Sequence, residues 1–244
     1  MKNCTNCGEE SDGKYCSNCG QEIEIKRLEV KTIFNDVTHG ILHWENSLLK
    51  TFKNLLFKPG DTARNYISGR RKLYVKPFTY FIFIQTVYVV FFHRMSGKYF
   101  AFLNFTITDP DSMHEKVQQM QNMVSTYINY FNYFMPIFFA LFFYLFFRKK
   151  TGVNYAESIA ISFYWIGTTL IFGIALMMLS LIEIRIWNAR IIVNIIFLLY
   201  AIFQFTGLHN PKSVIKGIIT VILSYITYAT FVGLILFIYF YLYM

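Results

Sequence analysis

From Pro77 onward the chain is a succession of long apolar runs separated by short charged clusters. A segment of this kind in lipid has no water to satisfy its amides and carbonyls. It must pair them internally, which a helix does within a single segment. Five runs are legible: about Pro77 to His93, about Tyr127 to Phe147 with Pro136 inside it, about Ala156 to Ile182, about Ile191 to Leu208, and about Gly217 to Tyr243. A hydrocarbon core of about 30 Å takes about 20 helical residues to cross. The expected fold class is therefore an all-α integral membrane bundle of five transmembrane helices. Composition agrees, with 55% hydrophobic and 20% aromatic residues and only 15% charged ones, too few to coat every face of a soluble domain.

The first twenty residues are of another kind. Cys4, Cys7, Cys16 and Cys19 stand in a C-x2-C-x8-C-x2-C pattern, with Gly8 and Gly20 directly after the second cysteine of each pair. Two thiolates three residues apart can face one metal if the backbone turns sharply, and glycine permits that turn. Residues 1–20 are expected to form a zinc ribbon around one structural zinc ion, because a segment this short cannot bury a core and metal binding must supply its folding energy. Two redox-active C-x-x-C pairs are the competing assignment, and they lack the βα pattern such chemistry uses. Zinc thiolates require a reducing compartment, which places the N-terminus on the cytosolic side. No apolar stretch precedes Leu28, so the first membrane helix is expected to act as its own insertion signal.

Residues 21–76 are expected to form a charged connector and a helical hairpin on the membrane surface. From Val30, apolar residues recur at three- and four-residue steps through Phe34, Val37, Ile41, Trp44, Leu48, Phe52 and Leu55, with charges on the other faces. Such a helix lies on a bilayer or against a bundle. Pro59-Gly60 reads as its end, Asp61 or Thr62 as the cap of a short second helix, and Ser68-Gly69 as that helix's stop. Asp36, His39 and His43 share one face and form a candidate second metal site, against the simpler assignment of a polar face at headgroup level. Gly40 stands where a zinc-protease motif has its glutamate. Arg70, Arg71, Lys72 and Lys76 form a basic collar before Pro77. The net charge of +9 is concentrated beside apolar segments, so anionic lipid headgroups are the expected partner of the collar, in preference to nucleic acid.

Lys and Arg set the orientation. With the N-terminus inside, the inner flanks carry Arg70, Arg71, Lys72, Lys76, Arg148, Lys149, Lys150, Lys212 and Lys216, and the outer ones Arg94, Lys98, Lys116, Arg185 and Arg190. The layout expected for residues 77–244 is thus N-in and C-out, with a long outer loop from about Arg94 to Thr126 in which Phe100 to Ile107 loosely alternates apolar and polar residues.

The block His43-Trp44-Glu45-Asn46-Ser47-Leu48-Leu49-Lys50-Thr51, followed by Pro59-Gly60, Tyr66-Ile67, Gly69-Arg70-Arg71, Tyr74 and Pro77, resembles the shared signature of a bacterial family of unknown function. Its members join an N-terminal zinc ribbon to this block and then to several membrane helices. The resemblance covers roughly residues 1–85 and implies an architecture without a mechanism. In topology the layout is also similar to Yip1-type membrane proteins.

Within the apolar part, Gln85, Asn194 and Gln204 are the polar residues to examine, and Glu157 is expected to pair with the cluster Arg148 to Lys150. Asparagine and glutamine there join helices by hydrogen bonds. No phosphate loop, nucleophile elbow, zinc-protease motif or paired intramembrane aspartates occur, so no enzymatic activity is expected. The leading expectation is an inner-membrane adaptor or assembly factor whose ribbon recruits a cytosolic protein. The alternative is a small, homo-oligomeric transporter or channel in which Gln85, Glu157, Asn194 and Gln204 converge on one cavity, with Pro136 kinking the second helix. A lipid-modifying protein would need a lateral groove near Arg70 to Lys76.

Overall fold

The computed structural model describes residues 2–25, 27–30, 33, 45–104, 130–207 and 211–243. Two short strands, β1 (Lys2–Asn3) and β2 (Glu10–Ser11), pair antiparallel with Lys2 opposite Ser11. Seven α-helices follow among the described residues: α1 (Glu45–Phe57), α2 (Pro59–Ile67), α3 (Pro77–Asn104), α4 (Met135–Thr151), α5 (Tyr155–Leu179), α6 (Arg190–Thr206) and α7 (Pro211–Tyr243). The helix expected from Val30 is seen at Val30 and Ile33 and again from Glu45. Asp36, His39 and His43 lie outside the described residues.

Helix α5 is the axis of the bundle. Every residue from Ala156 to Thr169 is buried, and its inner half packs on aromatic rings. Trp165 meets Phe139 and Phe143 of α4 and Phe205 of α6 edge-on. On the α3 side, Gly167 sits against the ring of Tyr80, and Gly173 against Tyr88. Helix α3 therefore runs parallel to α5, and α4 and α6 run antiparallel to it. A smaller cluster of Tyr88, Phe92, Met177 and Trp187 closes the end of the bundle away from the cysteines.

Among the described residues, three helices are long and apolar enough to cross a membrane: Tyr155–Leu179, Ile184–Thr206 and Pro211–Tyr239. Five spans are not supported, and the reason lies in α3 and α4. The apolar run of α3 is diluted by Thr79, Tyr80, Gln85, Thr86 and Tyr88. Helix α4 is only 17 residues long and ends in Arg148, Lys149 and Lys150. Pro136 has no amide to donate to Asn132, and the chain tightens into a 3-10 turn at Asn132–Phe134 just before it. Pro136 thus opens α4 instead of kinking a longer helix. The expected loop from Arg94 is also corrected, since α3 continues to Asn104.

The hairpin packs against the bundle. Lys58 alone separates α1 from α2, and Pro59-Gly60 starts the second helix where the sequence suggested a stop. Asp61 lies inside the first turn and pairs with Arg64 at 3.2 Å. The turn is driven into the bundle: Trp165 Nε1 donates to the Pro59 carbonyl at 3.1 Å, and Tyr200 Oη donates to the Phe57 carbonyl at 2.8 Å. Gly60 packs so close to α6 that a Cβ there would lie 2.3 Å from the Phe205 nitrogen. The Arg64 guanidinium donates to the carbonyls of Gln204 and Phe205, two of the carbonyls that the end of α6 leaves without helical partners. Ser68 and Gly69 end α2 as expected, with Gly69 at φ +106°.

Candidate metal centre

Two loops of the same build carry the cysteines. In the first, Cys4 N donates to Glu9 O at 2.8 Å and Gly8 N to Cys4 O at 2.9 Å; in the second, Cys16 N donates to Gln21 O at 2.8 Å and Gly20 N to Cys16 O at 2.9 Å. Gly8 and Gly20 take φ of +81° and +68°, the left-handed region that a side chain would penalise. The β1–β2 pair holds the first loop, and a bridge between Tyr15 and Glu22 holds the second.

This brings the four sulfurs within 4.8 Å of one another. Cys4 Sγ lies 3.6 Å from Cys19 Sγ, and Cys7 Sγ 3.5 Å from Cys16 Sγ. A disulfide would need about 2.0 Å. Four thiolates held about 2.3 Å from one tetrahedral ion stand about 3.8 Å apart. The donor set therefore fits a metal ion, and its four sulfurs fill a tetrahedron with no position left for substrate. A hydrogen bond from the Asn6 side chain, opposed by burial and reinforced by the Gln21 amide, lowers the Cys19 thiol from 9.0 to about 6. Cys19 is thus ready as a thiolate at neutral pH. Cys7 is pushed up to about 12: the Glu9 amide lowers it, but lost hydration and the thiols of Cys16, Cys19 and Cys4 together outweigh that effect.

The module is fastened to the helices by the connector that follows it. The Gln21 side-chain carbonyl accepts from the Lys72 amide at 2.9 Å, while its backbone carbonyl belongs to the second cysteine loop. Ile25 packs on Gly69, where a Cβ would lie 2.4 Å from its Cδ1. Arg27 donates from Nε and Nη2 to the two Glu157 oxygens at 3.0 and 2.8 Å, and from Nη2 to the Gly152 carbonyl at 2.8 Å. This hydrogen bonding, with the carboxylate charge, raises the Arg27 guanidinium further above its ordinary value. Asn154 Nδ2 donates to the Leu28 carbonyl at 3.1 Å, and Leu28 and Ile33 enter the core.

Glu157 therefore pairs with Arg27 and not with Arg148 to Lys150, as the sequence had implied. Its carboxylate is turned by a capping box at the start of α5: Glu157 N donates to Asn154 Oδ1, and Asn154 N to Glu157 Oε2, both at 2.8 Å. Gln204 does join elements, accepting from the Gly60 amide at 2.7 Å. Gln85 is buried in α3, and Asn194 lies beside Tyr225 of α7.

These four polar residues do not share a level of the bundle. Glu157 is in the first turn of α5, and Gln204 is near the level of Trp165. Gln85 falls between Tyr80 and Tyr88, and Asn194 lies beyond Phe197, which meets Phe172. Of the collar, Arg70 and Lys72 are exposed, while Arg71 and Lys76 are half-buried. The Arg71 guanidinium lies 5.9 Å from the centroid of the Tyr66 ring. Gln21, Arg27 and Arg64 escaped the sequence analysis, because nothing local marks partners 51, 130 and 140 positions away. The position of Gln21 directly after Cys19-Gly20 was the one available signal.

A family model described as a protein of unknown function (DUF3667) matches residues 45–89. The match covers α1, α2, the basic collar and the first turns of α3, and leaves the cysteine module and α4 to α7 outside it. No curated protein and no solved structure matches the chain.

Proposed function

We propose that this chain is a non-enzymatic inner-membrane adaptor, whose zinc-bound module is presented to a cytosolic protein by a helical anchor. The observation that carries this reading is the docked connector. Gln21, Ile25, Arg27 and Leu28 each engage the hairpin or the α4–α5 junction, which holds a closed metal site in fixed register with the bundle. A four-thiolate site favours zinc and gives it a structural role. The aromatic packing around Trp165 and the scatter of Gln85, Glu157, Asn194 and Gln204 over different levels argue for an anchor in preference to a transport route.

The same reading puts the N-terminal module in the cytosol. The Lys72–Gln21 and Arg27–Gly152 contacts gather Arg70 to Lys76 and Arg148 to Lys150 at the module's end of the bundle, and Arg94, Arg185 and Arg190 fall towards the other, in keeping with the positive-inside rule. Helices α3 and α4 complete a five-helix anchor in this proposal. They lie alongside α5, and α4, with Phe134 of the turn before it, carries an exposed apolar stripe through Ile137, Leu141 and Leu145 suited to lipid. Removing both as spans would leave the orientation of α5 to α7 unchanged, because they form a consecutive pair.

The test is Cys16→Ser in the full chain, crosslinked and purified from native membranes. The variant is expected to lose one bound zinc per chain and its crosslinked cytosolic partner while α5 to α7 still insert. Retention of every crosslinked partner by a variant that has lost its metal would refute the adaptor reading.

A further inference from the structure

The geometry points to a binding site for the phosphate headgroup of an anionic phospholipid, built jointly by the connector, the end of α4 and the start of α5. A shallow, open cavity of about 410 Å³ is lined by Arg27, Tyr144, Arg148, Lys149, Gly152, Val153 and Asn154. The α4 C-terminus and the α5 N-terminus meet here, and their opposed end charges offset one another. The charge of the site then comes from its side chains. Three cations, Arg27, Arg148 and Lys149, face one carboxylate nearby, Glu157, which is occupied by Arg27 and the Asn154 amide.

Two of these cations are held in place before any ligand arrives. Arg27 is oriented by Glu157 and the Gly152 carbonyl. Arg148 lies 5.1 Å from the centroid of the Tyr144 ring and donates to the Tyr144 hydroxyl at 3.2 Å. A planar guanidinium fixed in this way suits the paired oxygens of a phosphate.

The source of the phosphate is argued from α4. Leu141, Leu145 and Arg148 follow at four- and three-residue steps, so they share one helix face. Leu141 and Leu145 are exposed and continue the stripe from Phe134 and Ile137. A headgroup held at Arg148 would have its acyl chain laid along that stripe. Free phosphate has no use for it. The site is distinct from the collar at Arg70 to Lys76 and does not depend on the adaptor reading. It does need the connector docked, since Arg27 supplies one wall.

The experiment uses the full chain in mild detergent, with retained lipid counted by native mass spectrometry after addition of phosphatidylglycerol or phosphatidylcholine. Phosphatidylglycerol should be retained about tenfold more than phosphatidylcholine, as expected where fixed cations meet an anionic headgroup. The paired variant Arg148→Gln/Lys149→Gln should remove that preference, and Arg27→Gln should weaken it. Lys150→Gln, which changes an exposed cation of the same cluster outside the cavity, should leave it intact. All of these side chains except Arg27 project from the exposed end of α4, and an unchanged unfolding midpoint checks that the bundle is preserved. Equal losses in Lys150→Gln and the paired variant would reduce the effect to general charge and overturn the site. Inorganic phosphate binding to the protein as tightly as phosphatidylglycerol would overturn the lipid assignment.

Discussion

Gly60→Ala is the smallest change that tests how the hairpin meets the bundle. The added Cβ would lie 2.3 Å from the Phe205 nitrogen, 2.6 Å from the Gln204 carbonyl carbon and 2.8 Å from the Phe205 Cα. All three are backbone atoms of α6, so no side chain can swing aside. Either α2 lifts away or α6 shifts, and overpacking of this kind costs about 1–3 kcal/mol. Separation also stretches the 2.7 Å hydrogen bond from the Gly60 amide to Gln204, worth about 1 kcal/mol net. The sum, about 2–4 kcal/mol, corresponds to a fall of about 5–15 °C in Tm for a chain of this length. Thermal unfolding in detergent measures it. Gly233→Ala is the control, since nothing lies within 4 Å of a Cβ there, and it should leave Tm unchanged or raise it. A Gly60→Ala protein as stable as the parent, or one no worse than Gly233→Ala, would refute the close packing of α2 on α6.

Chelation of the metal should unfold the cysteine module, so that Cys4, Cys7, Cys16 and Cys19 are alkylated together while the metal-loaded chain resists labelling; mapping the modified cysteines by mass checks this, and a chelated chain whose cysteines stay protected would contradict it. Glu157→Ala should undo both the Arg27 pair and the side-chain bond of residue 157 in the capping box, so that trypsin cuts after Arg27 several-fold faster than in the parent; an unchanged cutting rate would mean that the connector does not rely on this carboxylate.

The parts legible in the sequence are those governed by local rules. The cysteine spacing and the two glycines specify the paired loops, because metal geometry leaves few backbone paths between ligands. Helices α5, α6 and α7 follow from unbroken apolar length, and Ser68-Gly69 from the left-handed turn it makes. What was not legible depends on partners far along the chain. Pro59-Gly60 carries a stop signal by composition, yet Gly60 serves as a contact surface for Phe205. Glu157 has basic residues close by in sequence, but the capping box aims it at Arg27, 130 positions away. Three of the five expected spans are clear from apolar length, and the other two are less so for a similar reason. An aromatic-rich helix such as α3 is apolar enough to be counted by eye, while Tyr80 and Tyr88, packed against α5, and the polar Gln85 and Thr86 lower its preference for lipid.

The hydroxyls of α5 bear on how the protein is made. Ser158, Ser162, Thr168 and Thr169 each donate to a carbonyl three or four residues back in the same helix. They therefore need no neighbour to be satisfied when the helix leaves the ribosome and meets lipid. Glu157 is the charged group that does need one, and Arg27 has been synthesised long before it. The order of the chain thus supplies the counter-ion in time, and a truncated chain lacking residues 1–30 would have to deliver α5 with its one carboxylate unaccompanied.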